Sequence, residues 1–255
     1  IVPWQMLCQR KGAVLRVLHV DEDGHLNLEE LKSLLNPKTR IVAVTQISNV
    51  LGILNPVKEI VSLCHSTGCP VLIDGAQGMV HEGVDVQDVD CDFYAFSGHK
   101  LYAATGTGVL YGKRKWLDQM VPYQGGGEMI ATVRFSGTTY APLPEKFEAG
   151  TQNINAIPTL EPAIEMLKLM KDKELLNAQE AVSQYLLHAL TSNPRIRLYG
   201  VPRGTETKIP LFSFSVEGAH HEDLALILDK MGIAVRSGQM CAEPLMDRFG
   251  VTGML

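Results

Sequence analysis

Short apolar runs punctuate the chain. Ile41 to Ile47, Val71 to Ile73, Phe93 to Phe96 and Val109 to Tyr111 each read as a buried strand, and Ala13 to Val20 alternates as another strand would. Helical signals fall between them. Trp4 to Arg10 is amphipathic, and Asn27 is placed to cap a helix that runs through Leu35 and stops before Pro37. A further helix follows Asn55-Pro56 to about His65, with Pro56 suited to a first turn, and Asp21-Glu22-Asp23-Gly24 is a turn. Strands alternating with helices predict an α/β fold with a mainly parallel, doubly wound sheet.

Between Met120 and Thr151 the pattern loses its periodicity and becomes rich in Gly, Pro, Thr and Tyr. Gly125-Gly126-Gly127 is either a flexible linker or a turn where backbone passes close to a ligand. From Pro158 to about Thr191 the apolar spacing is helical, with a break expected near Lys171-Asp172-Lys173. Strands at Ile196 to Tyr199, Leu211 to Val216 and Ile233 to Arg236, with a helix from Glu222 to Met231, predict a smaller α+β unit. The expected division is a large domain over residues 1–160 and a small C-terminal domain over 161–255. The His220-His221 pair falls at a helix cap, where a solvated turn is the simpler reading than a metal site.

Composition narrows the function classes. A net charge of −5 with no basic run gives nucleic-acid or membrane-surface binding no electrostatic footing. No stretch approaches the length of a membrane span, and the opening residues do not read as a signal peptide. Cys8, Cys64, Cys69, Cys91 and Cys241 are scattered without a paired zinc spacing, so reduced thiols in a cytoplasmic protein, most of them core fillers, are expected.

The chemistry concentrates at two places. In Ser97-Gly98-His99-Lys100 a lysine arrives at the end of an apolar strand; it either snorkels outward or is used, because desolvation lowers an amine's pKa toward Schiff-base chemistry. Val71-Leu72-Ile73-Asp74-Gly75-Ala76-Gln77 is a second strand ending in an acid and a glycine turn. Parallel strand ends line up on one edge, the usual ligand edge of α/β proteins, so Asn49, Asp74, Gln77 and Lys100 are expected together. A lysine and an aspartate on adjacent strand ends suit pyridoxal 5'-phosphate, whose aldehyde takes an amine and whose pyridinium nitrogen takes a carboxylate. The second place is Cys241, a loop cysteine after Ser237-Gly238 that is either an ordinary exposed thiol or a nucleophile.

IDGAQ followed by SGHK resembles the fold-type I pyridoxal-phosphate enzymes of the class V aminotransferase group, in their cysteine desulfurase and selenocysteine lyase branch. The resemblance includes SNVLGILNPVKEI from Ser48, PYQGGGEMI from Pro122, KFEAGTQN from Lys146 and VRSGQMCAEPLM from Val235, and within that branch the chain resembles the SUF-type desulfurases. It implies that Lys100 bonds the cofactor and moves the substrate Cα proton, while Asp74 holds the pyridinium nitrogen. Gln77, Asn49, Ser97 and His99 would supply further cofactor contacts. Thr151 would reach the cofactor phosphate of a second subunit, making a homodimer with sites at its interface and an ordered glycine-rich loop nearby. Asn49 and Arg236 would hold the carboxylate of L-cysteine or L-selenocysteine, and Cys241 would carry the persulfide onward to a sulfur-acceptor protein of iron–sulfur assembly.

The resemblance further implies that about a third of the family's length, with the ring stacked on the cofactor, precedes Ile1, and that a substrate-binding arginine follows Leu255. One departure is chemical. Many relatives carry a histidine just before the cysteine, whereas Gln239-Met240 stand here and neither shuttles a proton near neutral pH. The competing expectations are selenocysteine lyase activity, a non-catalytic chain that keeps the fold, and an ordinary aminotransferase that needs no cysteine at 241.

Overall fold

A computed structural model of the chain describes residues 1–171, 173–202 and 208–255. The first half is built on a four-stranded sheet in the spatial order β1 (Val42–Thr45), β2 (Val71–Asp74), β3 (Phe93–Ser97) and β4 (Gly108–Gly112). The first three strands are parallel and β4 returns antiparallel to β3, so the sheet is mainly parallel as expected. Helices α1 (Val2–Lys11) and α2 (Leu28–Leu34) precede it. Helix α3 (Val57–Ser66) crosses from β1 to β2, and the short helices α4 (Gly78–His81) and α5 (Val86–Val89) lie between β2 and β3. Helix α6 (Arg114–Leu117) follows β4.

Local chemistry explains these boundaries. The Asn27 side chain accepts from the backbone N–H groups of Glu29 and Glu30, satisfying two donors at the start of α2. In α3 the i, i+3, i+4, i+7 positions Val57, Ile60, Val61 and Cys64 are all buried, giving the helix one apolar stripe against the sheet. That stripe joins Leu31, Val71, Ile73, Cys91 and Tyr94 in the main core.

Residues 120–151 hold a two-stranded hairpin, β5 (Ile130–Arg134) with β6 (Gly137–Tyr140), which the sequence pattern does not announce. Every hairpin residue is exposed, so no buried face imposes the alternation by which strands are recognised. The glycine-rich segment is a turn: the Gly127 carbonyl accepts from the N–H groups of both Met129 and Gly150, and Met129 is buried.

Helices α7 (Leu160–Met170) and α8 (Lys173–Thr191) are separate, with the break where it was expected and Asp172 itself outside the described residues. Strands β7 (Ile196–Tyr199) and β8 (Ser213–Val216) form an antiparallel pair, followed by α9 (His221–Lys230) and α10 (Glu243–Phe249). A second core joins Val50, Leu51 and Ile53 to Tyr199, Met246, Phe249 and Met254.

Two expected strands are absent. Ala13 to Val20 forms only one bridge, Val20 to Leu26, and its residues 13–17 are exposed on both sides. Ile233 to Arg236 joins no ladder among the described residues, and Ile233 and Val235 are exposed. In both, the alternation is present but no partner strand is, among the described residues.

Candidate active site

The register Thr45 to Asp74 to Ala95 brings the carboxyl ends of β1, β2 and β3 to one edge. Asp74 closes β2 there and is exposed. Its Oδ1 accepts from the Ala76 N–H at 2.9 Å, which fixes the carboxylate over the turn, and Oδ2 has no partner among the described residues.

The turn stands on a buried pair. The Tyr94 hydroxyl donates to Gln46 Oε1 at 2.5 Å, and burial pushes the Tyr94 pKa up, keeping the phenol protonated as a donor. A Cβ at position 75 would fall 2.0 Å from the Tyr94 ring, and one at 78 would fall 2.0 Å from Gln46 Oε1. The sequence Asp74-Gly75-Ala76-Gln77-Gly78 therefore needs both glycines for close approach, and Tyr94 and Gln46 set the height at which Asp74 and Gln77 sit.

Strand β3 ends at Ser97, and residues Gly98–Leu101 wind into a single 3-10 turn held by Gly98 N–H to Thr107 O at 2.9 Å. Leu101 is fully buried and pins that turn, which packs against α4 and α7. His99 is exposed and Lys100 half-buried. The side chains of Gln77, Ser97, His99 and Lys100 have no hydrogen bond or ion pair among the described residues. A carboxylate oxygen, an amine, an imidazole, an amide and a hydroxyl thus stand unpaired at one sheet edge.

The loop after β1 brings in the cysteine. Ser48 Oγ accepts from the N–H groups of Val50 and Leu51, and Val50, Leu51 and Ile53 are buried, so Asn49 projects from a rigid base. Its Nδ2 donates to the carbonyl oxygen of Met240 at 2.8 Å. That carbonyl belongs to the residue before Cys241, which is exposed. Met240 and Cys241 are consecutive left-handed residues, with φ of 52° and 59°. For side-chain-bearing residues this costs about 1–2 kcal/mol each, so neighbouring contacts have to hold the loop.

Sequence reasoning missed several of these supports. The pairing of Gly238 with Met254 and the bond between His221 Nδ1 and Ser237 Oγ at 2.7 Å hold the stem of the cysteine loop. His221 was read only as part of a solvated turn; its neighbour His220 does cap α9, accepting from the Glu222 N–H. No sequence signal distinguishes these contacts, because they join residues far apart in the chain. Arg236 is exposed in the stretch leading to that stem, and Thr151 is exposed after Gly150. Among the described residues no hydrogen bond ties either side chain to Asp74, Lys100 or Cys241.

The other thiols are of a different kind. Burial raises the Cys64 pKa to about 12 and raises those of Cys69 and Cys91 as well, so these three are core fillers. Among the described residues, no cluster of His, Cys, Asp and Glu could hold a metal ion, and no helix is long and apolar enough to cross a membrane.

Known proteins are similar in sequence and fold. A cysteine desulfurase from Enterobacter sp. (strain 638) is 48% identical over 255 residues, all of this chain and 62% of the relative. One from Cronobacter sakazakii is 46% identical with the same coverage. The crystal structure of the Escherichia coli cysteine desulfurase CsdA superposes with a TM-score of 0.89 at 39% identity, covering 100% of this chain and 63% of CsdA. An apo cysteine desulfurase from Thermococcus onnurineus NA1 gives 0.87 at 34% identity and the same coverage. The chain thus spans just over three-fifths of the length of these relatives. The family profile described as aminotransferase class-V matches residues 1–255, from α1 through the cysteine loop, and the chain belongs to that family.

Proposed function

We propose that this chain carries the lysine, acid and cysteine of a pyridoxal-phosphate-dependent cysteine desulfurase, which converts L-cysteine to L-alanine and leaves the sulfur as a persulfide on Cys241. One contact carries the reading: Asn49, on the strand-edge loop, bonds the carbonyl beside exposed Cys241, while among the described residues Asp74 Oδ2, at the end of β2, and the Lys100 amine, in the turn just after β3, have no protein partner.

The donor set fits the cofactor. Lys100 offers an amine for the aldehyde, Asp74 Oδ2 a free acceptor for the pyridinium N–H, and Gln77 an amide for the phenolate oxygen. Ser97 and His99 are suited to the phosphate, as is Thr151 across a homodimer. When bound, pyridoxal phosphate supplies an electron sink for bonds at the substrate Cα. Arg236 offers a bidentate fork and Asn49 an amide donor for the substrate carboxylate. The Lys100 amine would also serve as the base that takes and returns the substrate Cα proton. The Cys241 thiolate attacks the substrate sulfur: an S–S bond forms as the Cβ–S bond breaks, and the electron pair leaves with carbon, which is protonated to give alanine. A cytoplasmic acceptor thiol of iron–sulfur assembly is the natural recipient of that sulfur. Similarity to proteins named cysteine desulfurase supports L-cysteine over L-selenocysteine as substrate.

The test is the visible spectrum of the purified protein with pyridoxal phosphate, before and after L-cysteine and a reductant, with alanine and sulfide measured. Lys100→Ala is expected to lose the visible absorbance of lysine-bound cofactor and all turnover. Cys241→Ala is expected to keep the absorbance and lose sulfide release. A protein that stays colourless with added cofactor, or a Cys241→Ala variant with intact turnover, would overturn the assignment.

A further inference from the structure

Among the described residues, one side chain suited to substrate, Asn49, attaches the cysteine loop to the sheet edge. Residues 50–53 are clamped from the other side by Ser213 Oγ on the Val50 carbonyl at 2.6 Å, by the Ile209 N–H on the Gly52 carbonyl at 3.0 Å, and by Lys208 Nζ on the Leu51 carbonyl. Asn49 is therefore an exposed arm on a fixed post. Beyond the post lies a strained segment: Met240 and Cys241 are both left-handed, and the loop is otherwise held at its ends, by Gly238 on Met254 and by the Ala242 N–H on the Gln239 carbonyl at 2.9 Å. A left-handed pair without glycine persists only where contacts hold it. The Met240 side chain packs against the second core, and among the described residues the Asn49 amide is the side chain that hydrogen-bonds the backbone at that point, on the Met240 carbonyl.

We infer that Asn49 is a positioning residue for Cys241: its amide latches the Met240 carbonyl while the site is empty, and a substrate carboxylate that takes the same N–H donor releases the loop. This rests on the reading of Cys241 as the sulfur carrier. The amide has two N–H groups, but only the one bonded to Met240 holds the loop. An arriving carboxylate offers a charged acceptor in place of a neutral carbonyl, and charge-assisted bonds are about twice as strong, so exchange favours the substrate. The thiol is then held when there is nothing to desulfurate and freed when there is.

The experiment reads the thiol without turnover. Cys241 is alkylated with iodoacetamide at fixed pH and followed by mass spectrometry of its peptide, with half-buried Cys8 as internal reference and buried Cys64, Cys69 and Cys91 as slow controls. Asn49→Ala, and the isosteric Asn49→Asp, which cannot donate, are expected to speed Cys241 alkylation by roughly 3- to 10-fold, the range for one net hydrogen bond, with the Cys8 rate unchanged. In the cofactor-loaded wild-type protein, L-alanine, which carries the carboxylate but no sulfur, is expected to produce the same acceleration and to add nothing in either variant. Equal Cys241 rates in all three proteins would overturn the latch, as would acceleration in Asn49→Ala but not in Asn49→Asp, which would assign the effect to side-chain volume. An L-alanine effect that persists in the variants would overturn release through Asn49. Failure of the desulfurase reading shows separately, as wild-type protein that yields no sulfide from L-cysteine while the alkylation contrast remains.

Discussion

Asp92 is the most heavily used side chain outside the candidate site, and replacing it by asparagine measures how firmly the strand ends are held. Its carboxylate is fully buried where β2 and β3 begin. It accepts from His65 Nε2 at 2.7 Å, from Trp116 Nε1 at 2.6 Å and from the Val71 N–H at 2.9 Å, with Lys115 Nζ at 3.4 Å. Burial by itself pushes this carboxyl up, but the bonds from Trp116, His65 and Val71 outweigh it and bring the pKa down to about 2. Against the ordinary 3.8, at about 1.4 kcal/mol for each tenfold change in proton affinity, the charged form contributes about 2.5 kcal/mol to folding. Asp92→Asn keeps the shape, removes the charge and turns an amide N–H₂ toward donors. It is expected to lose about 2–3 kcal/mol in urea titrations at neutral pH, and to melt roughly 4–12 °C lower. The sign with pH follows from the lowered folded pKa. The contribution is whole above about pH 4 and fades as pH falls toward 2, so the gap between wild type and variant is expected to close over that window. A variant within 0.5 kcal/mol of wild type, or a gap that holds constant down to pH 2, would refute this account of the cluster.

Two substitutions probe the floor of the site. Tyr94→Phe leaves the buried Gln46 Oε1 without its donor and is expected to cost about 1–3 kcal/mol in the same urea assay; an unchanged midpoint would mean that the pair does not support the turn. Gly75→Ala forces a methyl into the Tyr94 ring, with an expected overpacking cost of about 1–3 kcal/mol and weaker pyridoxal-phosphate binding in a spectral titration. Wild-type values for both would show that the turn has room to spare.

The sheet edge was legible because strand ends carry their own punctuation. Apolar runs that stop at Asp74-Gly75 and Ser97-Gly98 mark both where a strand ends and which residues it delivers, and the parallel register does the rest. Helices with a cap or a starting proline, such as α2 and α3, were legible for the same reason. What escaped were features defined by a distant partner. Ala13 to Val20 alternates as a strand should, yet among the described residues it forms no ladder beyond the Val20 to Leu26 bridge, and the exposed β5–β6 hairpin pairs without alternating. Tyr94 reads as one more apolar strand residue; only its position against Gln46, 48 residues away, makes it the support under Asp74. The Asn49 contact with Met240 spans 191 residues, and no local pattern encodes it.

The two halves of the candidate site are held by different kinds of interaction, and the chemistry gives a reason. Beneath Asp74 and the Lys100 turn lie buried, satisfied groups: the Tyr94–Gln46 pair, Leu101 in its socket, and the Asp92 cluster at the far end of the same strands. Groups of this kind have one low-energy arrangement, and the proposed cofactor, whose ring would have to stay aligned with a lysine, would require that. Cys241 is held otherwise, on an exposed loop in a left-handed pair, by contacts that a competing acceptor can break. In the function proposed above, a sulfur carrier at Cys241 would have to meet the substrate at the strand edge and then an acceptor outside it. A thiol fixed as firmly as Lys100 would serve the first encounter and fail the second. On that proposal the strain at Met240 and Cys241 is what a transferring residue would require, and the rigidity under Lys100 and Asp74 is what would allow one loop to be loose without loss of the geometry it returns to.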